Sequence, residues 1–172
     1  MGWYLALLLA VAAERVAELV VSRRNLIWSR ARSGVEFGAG HYPVMVVLHT
    51  GLLVGCLIEA GYRPFLPALG WPMLALVLAA QGLRWWCIAT LGRQWNTRVV
   101  IVPGAGRVAG GPYRWLRHPN YLAVVLEGAA LPLVHTGWLT ALVFTVLNAA
   151  LLRVRIGVEN QALAGIGSTS AS

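Results

Sequence analysis

The chain has no lysine and no aspartate, and only 12% of its 172 residues are charged. Soluble domains carry about twice that share. Too little polar surface remains for a water-facing globule, and a lipid environment is expected. Cysteine is scarce as well. Cys56 and Cys87 each fall inside an apolar run with no partner nearby in sequence, which excludes a disulfide framework and marks both as core residues. The four histidines are scattered without ligand spacing, so no metal site is expected. The chain closes without a cysteine-containing lipidation box, and no C-terminal prenylation is expected. No basic stretch precedes the first apolar run. The Arg23-Arg24 pair follows it instead, as in a retained first helix rather than a cleaved signal peptide. There is no internal repeat at solenoid periods.

What the chain does have is hydrophobic length. Hydrophobic residues make up 58%, gathered into runs over about Trp3–Val21, His41–Ala60, Trp71–Leu91, Tyr121–Val134 and Trp138 onward. A bilayer needs roughly twenty residues of helix. The fourth run is short by that measure and should start near Pro119, since proline is tolerated at a first helical position. The fifth should continue as an amphipathic helix to about Leu163. The prolines of Gly61–Pro67 stop the second helix.

The net charge is +8 and every cation is arginine. In so apolar a chain this points to lipid headgroups and membrane topology rather than nucleic acid. With the N-terminus outside, five crossings place Ser22–Gly40, Gly92–Asn120 and the C-terminal extension inside. Arg23, Arg24, Arg30, Arg32, Arg93, Arg98, Arg107, Arg114, Arg117, Arg153 and Arg155 then lie inside, and Arg63 outside. Trp3, Trp71 and Trp138 fall near the outer face, and Trp28, Trp95 and Trp115 near the inner one, as an aromatic belt requires. The predicted fold is therefore all-α: a polytopic bundle of about five transmembrane helices, the last two forming a hairpin, with a cytoplasmic C-terminus. Residues 1–164 form one domain, three helices (1–91) followed by a loop and helical hairpin (92–164). A disordered tail is expected over 165–172.

Charges inside the hydrocarbon region need a partner or a task. Glu14 and Glu18 share a helical face beside Arg15. His49, Arg84 and Glu127 fall within apolar runs, and Glu59 lies near the outer end of its helix, where it can reach the interface. Interhelical pairing, such as Arg84 with Glu18 or Glu127, is one reading. A buried polar cavity opening on the inner side is the other.

The segment Gly110–Leu122 carries the chemistry. It is basic, glycine-rich and aromatic, and runs straight into a membrane helix. Free N–H groups at a helix start favour an anion, arginine and histidine add charge-assisted donors, and Tyr113 and Tyr121 offer flat faces for an adenine or a cation. The residues suit a small ligand with a carboxylate and an aromatic base. They equally suit an inner loop capped by Pro119.

The segment resembles the signature of the isoprenylcysteine carboxyl methyltransferase family, Gly-x-Tyr-x-x-x-Arg-His-Pro-x-Tyr, here Gly111, Tyr113, Arg117, His118, Pro119 and Tyr121. The family's downstream arginine and glutamate pair is matched by Arg155 and Glu159, with Asn160 in place of the usual second glutamate. Leu91 to Leu163 carry the resemblance. The first half is similar to a bacterial branch in His41-Tyr42, His49, Glu59, Glu18 and Asn25. Members of that branch are associated with type III polyketide synthases and O-methylate alkylpyrones or alkylresorcinols.

The resemblance implies an enzyme of the bacterial plasma membrane using S-adenosylmethionine and releasing S-adenosylhomocysteine on the cytoplasmic side. It implies cofactor contacts at Gly111, Tyr113, Arg117, His118, Asn120 and Tyr121, with Arg155 and Glu159 where cofactor and acceptor meet. A lipophilic acceptor would enter from the bilayer. If the acceptor is a carboxylate, no base is needed and Arg155 pairs with it. If it is a phenol or enol, Glu159, Glu127 or His49 is the candidate base. Two rivals remain at this point: a sterol-reductase-like enzyme using NADPH, and a small transporter with a polar interior.

Overall fold

The computed structural model describes residues 2–106 and 108–169, with side chains described through Ala162; Arg107 and residues 170–172 lie outside the described residues. Five helices dominate: α1 (Gly2–Arg30), α2 (His41–Ala60), α3 (Pro67–Leu91), α4 (Pro119–Leu133) and α5 (Trp138–Thr169). Two short strands, β1 (Val35–Phe37) and β2 (Val99–Ile101), pair antiparallel with Val35 opposite Ile101 and Phe37 opposite Val99. Single 3₁₀ turns occupy Gly92–Gln94 and Gly111–Arg114. The small sheet is an addition to the expected all-α fold.

Three helices, α2, α3 and α5, are long and apolar enough to cross a membrane. α4 has 15 residues, and the middle of α1 carries Glu14, Arg15 and Glu18. α4 starts at Pro119, and Trp138 opens α5, both as expected. α1 runs well past the predicted end of its apolar run at Val21. Its buried face continues through Ser22, Asn25 and Ser29 at helical spacing, and each of these polar side chains has a partner. Asn25 Nδ2 donates to the Gly92 and Trp95 carbonyls at 3.0 and 2.7 Å, Ser22 Oγ to Asn96 Oδ1 at 2.7 Å, and Ser29 Oγ back to the Asn25 carbonyl. Helix α5 likewise passes the end expected near Leu163.

At one end of the bundle the packing is closed. Tyr4, Leu8, Leu52, Cys56, Val77, Leu131, Val134 and Phe144 form its core. Both cysteines are buried and free. The Tyr4 hydroxyl donates at 2.9 Å to the Leu131 carbonyl, one of the last-turn acceptors of α4 that no helical N–H reaches. Trp3 stacks on Trp71 at 5.7 Å, with Phe65 edge-on to both. Glu59 does not merely reach the interface: it is 3% exposed and accepts from the Thr140 backbone N–H at 2.6 Å. It thus caps the α5 N-terminus, where a carboxylate also meets the helix dipole favourably.

The opposite end is held by polar loops. Glu36 of β1 pairs with Arg98 at 2.7 Å and Arg30 at 3.6 Å, and Arg98 lies over the Tyr42 ring. Trp95, expected in an interfacial belt, is instead 2% exposed and faces the bundle interior.

Candidate functional site

A cavity of about 300 Å³ opens inside this polar end. α1 lines it with Arg15 and Glu18, α2 with Met45 and His49, α3 with Arg84, and α4 with Asn120, Tyr121 and Glu127. α5 adds Asn148 and Arg155, and the segment after the Gly92–Gln94 turn adds Trp95, Asn96 and Thr97. That segment is held against the cavity by the Ser22 and Asn25 bonds from α1. Asn25 therefore acts by fastening the loop.

α4 brings its residues here by starting abruptly. His118, held out of the helical region ahead of Pro119 at φ −135° and ψ 61°, cannot continue a helix back into the loop, as expected of a residue before proline. Asn120 and Tyr121 then fall in the first helical turn, at the cavity wall. Tyr121 is the hub: its hydroxyl donates to Glu159 at 2.7 Å, the His118 ring stacks on its ring at 5.4 Å, and the Arg155 guanidinium lies 5.6 Å from the ring centre. Arg155 also donates to the Thr97 carbonyl at 2.8 Å and to the Met45 sulfur. Among the described residues no carboxylate pairs with it. Across the cavity, His49 Nδ1–H donates to the Met45 carbonyl at 2.9 Å. A carbonyl oxygen can only accept, so this bond leaves Nε2 as the lone-pair nitrogen of the neutral ring.

Glu127 stands apart from that group. It pairs with Arg84 and, at 3.5 Å, with Arg15, and Gln81 donates to it at 3.4 Å. Arg84 also faces Glu18 at 3.5 Å, and Arg15 donates to Glu18 at 2.9 Å. The expected interhelical pairing of Arg84 is present with both glutamates and widened by Arg15. Trp85 donates to Glu14 alongside.

The motif segment divides. Asn120 and Tyr121 line the cavity, whereas His118, expected as a cofactor contact, does not line it and packs on the Tyr121 ring. Gly111, at φ +53°, lies against α3: a Cβ there would stand 2.4 Å from Thr90 Oγ1, so no larger residue fits. Tyr113 is half-buried near Cys87, and burial, then Cys87, raises its phenol well above the ordinary range. It stays a neutral hydroxyl. Arg117 is exposed and does not line the cavity.

Asn148, Asn96, Thr97, Trp95 and Arg15 line the cavity although the sequence did not single them out as site residues. A signal existed for Asn148: it lies seven residues before Arg155 on α5, the spacing that returns to the same face.

Three atoms test whether S-adenosylmethionine suits these residues. Asn120 Oδ1, Trp95 Nε1 and Arg155 Nε are buried without hydrogen-bond partners, as are Arg15 Nε, Glu18 Oε1 and Arg84 Nε in the ionic group, and such groups are costly unless something completes them. The first three comprise an acceptor, a neutral donor and a cationic donor beside the flat Tyr121 ring. A ligand with an ammonium, a carboxylate and an aromatic base offers the complement of each, so the residues fit.

Comparison with known proteins gives the family. The profile of the isoprenylcysteine carboxyl methyltransferase (ICMT) family matches residues 73–165. The chain is also similar to the uncharacterized protein YpbQ of Bacillus subtilis (strain 168), 37% identical over 164 residues, covering 95% of this chain and 96% of that one.

Proposed function

The chain belongs to the isoprenylcysteine carboxyl methyltransferase family, and from that membership we propose that it is an S-adenosylmethionine-dependent O-methyltransferase of the bacterial plasma membrane. On this reading all five helices cross or enter the bilayer and the arginine-rich end is cytoplasmic. The acceptor is a lipid-tailed phenol or enol of the alkylresorcinol or alkylpyrone kind. The observation that carries the proposal is that Asn120, Tyr121, Arg155 and His49 line one cavity together.

When bound, S-adenosylmethionine would supply a sulfonium methyl to the acceptor oxygen, with S-adenosylhomocysteine as the leaving product. Arg155, Asn120 and Trp95 hold the polar groups of the cofactor through their open atoms. Tyr121 gives the flat wall, and Glu159 fixes the Tyr121 hydroxyl. His49 Nε2 takes the hydroxyl proton, and the Met45 carbonyl keeps its ring in the tautomer that can do so. Glu127 is engaged with Arg84 and Arg15 and is the weaker candidate for the base. The lone-pair nitrogen of His49 at the cavity suits a hydroxyl acceptor, whose proton must leave, where a carboxylate would need no base. The charges a transporter would use, Arg15, Glu18, Arg84 and Glu127, are engaged with one another, which favours an enzyme.

Titration of S-adenosylhomocysteine into the protein in detergent tests the proposal. Saturable binding is expected, with none for NADPH, and absence of binding at millimolar ligand overturns it. His49→Gln should keep that affinity and slow methylation of an alkylresorcinol by about 10²–10⁴-fold, the usual worth of a general base.

A further inference from the structure

Buried polar side chains of this bundle mostly find partners within the protein. Ser22 and Asn25 fasten the loop after α3, Glu59 caps α5, and Thr136 donates to the Pro64 carbonyl. Asn148 differs. It is 2% exposed, yet its carboxamide makes no hydrogen bond to any described residue; it lines the cavity instead. The His135 side chain shares that lack, but it lies at the closed end, its ring 5.0 Å from Tyr4 and 6.0 Å from Phe65. An asparagine side chain carries two N–H donors and an acceptor oxygen, and hiding them unbonded is costly. Asparagine is also a weak helix former, and Leu151 and Leu152, the next lining residues on α5, are apolar. Neither helix formation nor packing calls for an amide at this position.

Three contacts place Asn148 in depth. α2 and α5 run antiparallel, since Gly55, His49 and Met45 meet Thr140, Phe144 and Arg155 in turn. Six residues back from Gly55 is His49, and six on from Thr140 is Val146. His49 thus stands level with a point between Phe144, which it touches edge-on, and Asn148, one turn beyond Phe144 on the same face. Asn148 lies about 3 Å further along the axis than His49, on the side of Arg155. One aromatic head can therefore meet both side chains. A lone neutral amide in an apolar wall is the kind of group that fixes the orientation of a largely apolar ligand.

We propose that Asn148 determines acceptor specificity: it hydrogen-bonds the ring oxygen that is not methylated, while His49 faces the one that is. The acceptor is thereby narrowed to rings with two oxygens in a 1,3 relation, a resorcinol or a 4-hydroxy-2-pyrone, against simple phenols. An amide serves either head, because Oδ1 accepts from a second hydroxyl and Nδ2 donates to a ring carbonyl. This rests on the methyltransferase reading for the reaction at the first oxygen, and on the packing alone for recognition of the second.

The test uses the whole protein in detergent with two acceptors that differ by one oxygen, 5-pentylresorcinol and 3-pentylphenol. The parent should methylate the resorcinol with kcat/KM about tenfold or more above the phenol, since a site built to bond a hydroxyl rejects the analogue lacking it. Asn148→Leu, close in size, should lower kcat/KM for the resorcinol about tenfold and for the phenol much less, so that the preference collapses. Affinity for S-adenosylhomocysteine and the unfolding temperature should hold, and Asn148→Ala should lose the same preference. A retained preference, equal loss on both acceptors, weakened S-adenosylhomocysteine binding or loss of folded protein in both variants overturns the assignment. Titration of the two acceptors without cofactor needs no turnover. A resorcinol preference there that Asn148→Leu abolishes, in a protein that binds no S-adenosylhomocysteine, would uphold the role of Asn148 and refute the methyltransferase.

Discussion

Arg84 and Arg155 line one cavity and are hidden to a similar degree, 4% and 9% exposed, yet their surroundings differ in kind. Arg84 faces two carboxylates, Glu18 and Glu127, which Arg15 shares. Together these groups tie α1, α3 and α4 to one another. Arg155 faces a carbonyl, a thioether and an aromatic ring. None of these cancels its charge. A buried ion is costly unless paired. The charges of the first group are balanced from within the protein, although Arg15 Nε, Glu18 Oε1 and Arg84 Nε keep open hydrogen-bond positions, whereas the charge of Arg155 has no carboxylate beside it among the described residues. Residue type and burial do not distinguish structural charge from functional charge here; the partner set does.

The sharpest way to break that comparison is to remove one partner from each group. Glu127→Ala leaves Arg84 and Arg15 short of a carboxylate and should cost about 3–5 kcal/mol of stability. The measurable result is a sharply lower unfolding temperature in detergent or loss of folded protein. A Glu127→Ala protein that unfolds like the parent but no longer turns over would move Glu127 into the catalytic group.

Arg155→Met should behave in the opposite way. It removes an unpaired charge and leaves no partner ion stranded, so the unfolding temperature should hold. Affinity for S-adenosylhomocysteine should fall about 10–100-fold, the worth of a hydrogen bond to a charged group. Titration and thermal unfolding on the same sample check both halves.

The two groups were unequally legible in the sequence. Charges within apolar runs announce themselves, so Arg84, Glu18 and Glu127 could be paired before any coordinates. Arg15 could not be placed with Glu127, because that contact depends on how α1 rotates against α4. Ser22, Asn25 and Ser29 read as loop because they are polar. They are helix because each finds a partner across the bundle, and helical periodicity, not apolarity, carried α1 on to Arg30. The motif segment named Asn120 and Tyr121, which reach the cavity wall. It also named Gly111, which a positive φ and the nearness of Thr90 place against α3, and Arg117, which is exposed. A linear signature marks conserved types of residue without separating those that shape the chain from those that touch a ligand. Asn96 and Thr97 were invisible for another reason: their place at the cavity is set by tertiary bonds to Ser22.

The smallest expected effect divides the open group itself. Tyr121 contributes a hydroxyl, bonded to Glu159 at 2.7 Å, and a ring, covered by His118 and Arg155. Tyr121→Phe deletes only the first. A single hydrogen bond in a half-buried setting is worth about 1 kcal/mol net, so S-adenosylhomocysteine affinity should fall about fivefold, the factor that energy implies. Tyr121→Leu removes the flat face as well and should cost clearly more, because both the stack and the cation–ring contact go with it. If Phe and Leu weaken binding equally, the ring is packing and the Tyr121–Glu159 bond is what shapes the site. If Phe matches the parent, Glu159 is free to face the acceptor rather than to hold Tyr121, and it returns as a rival to His49 for the proton.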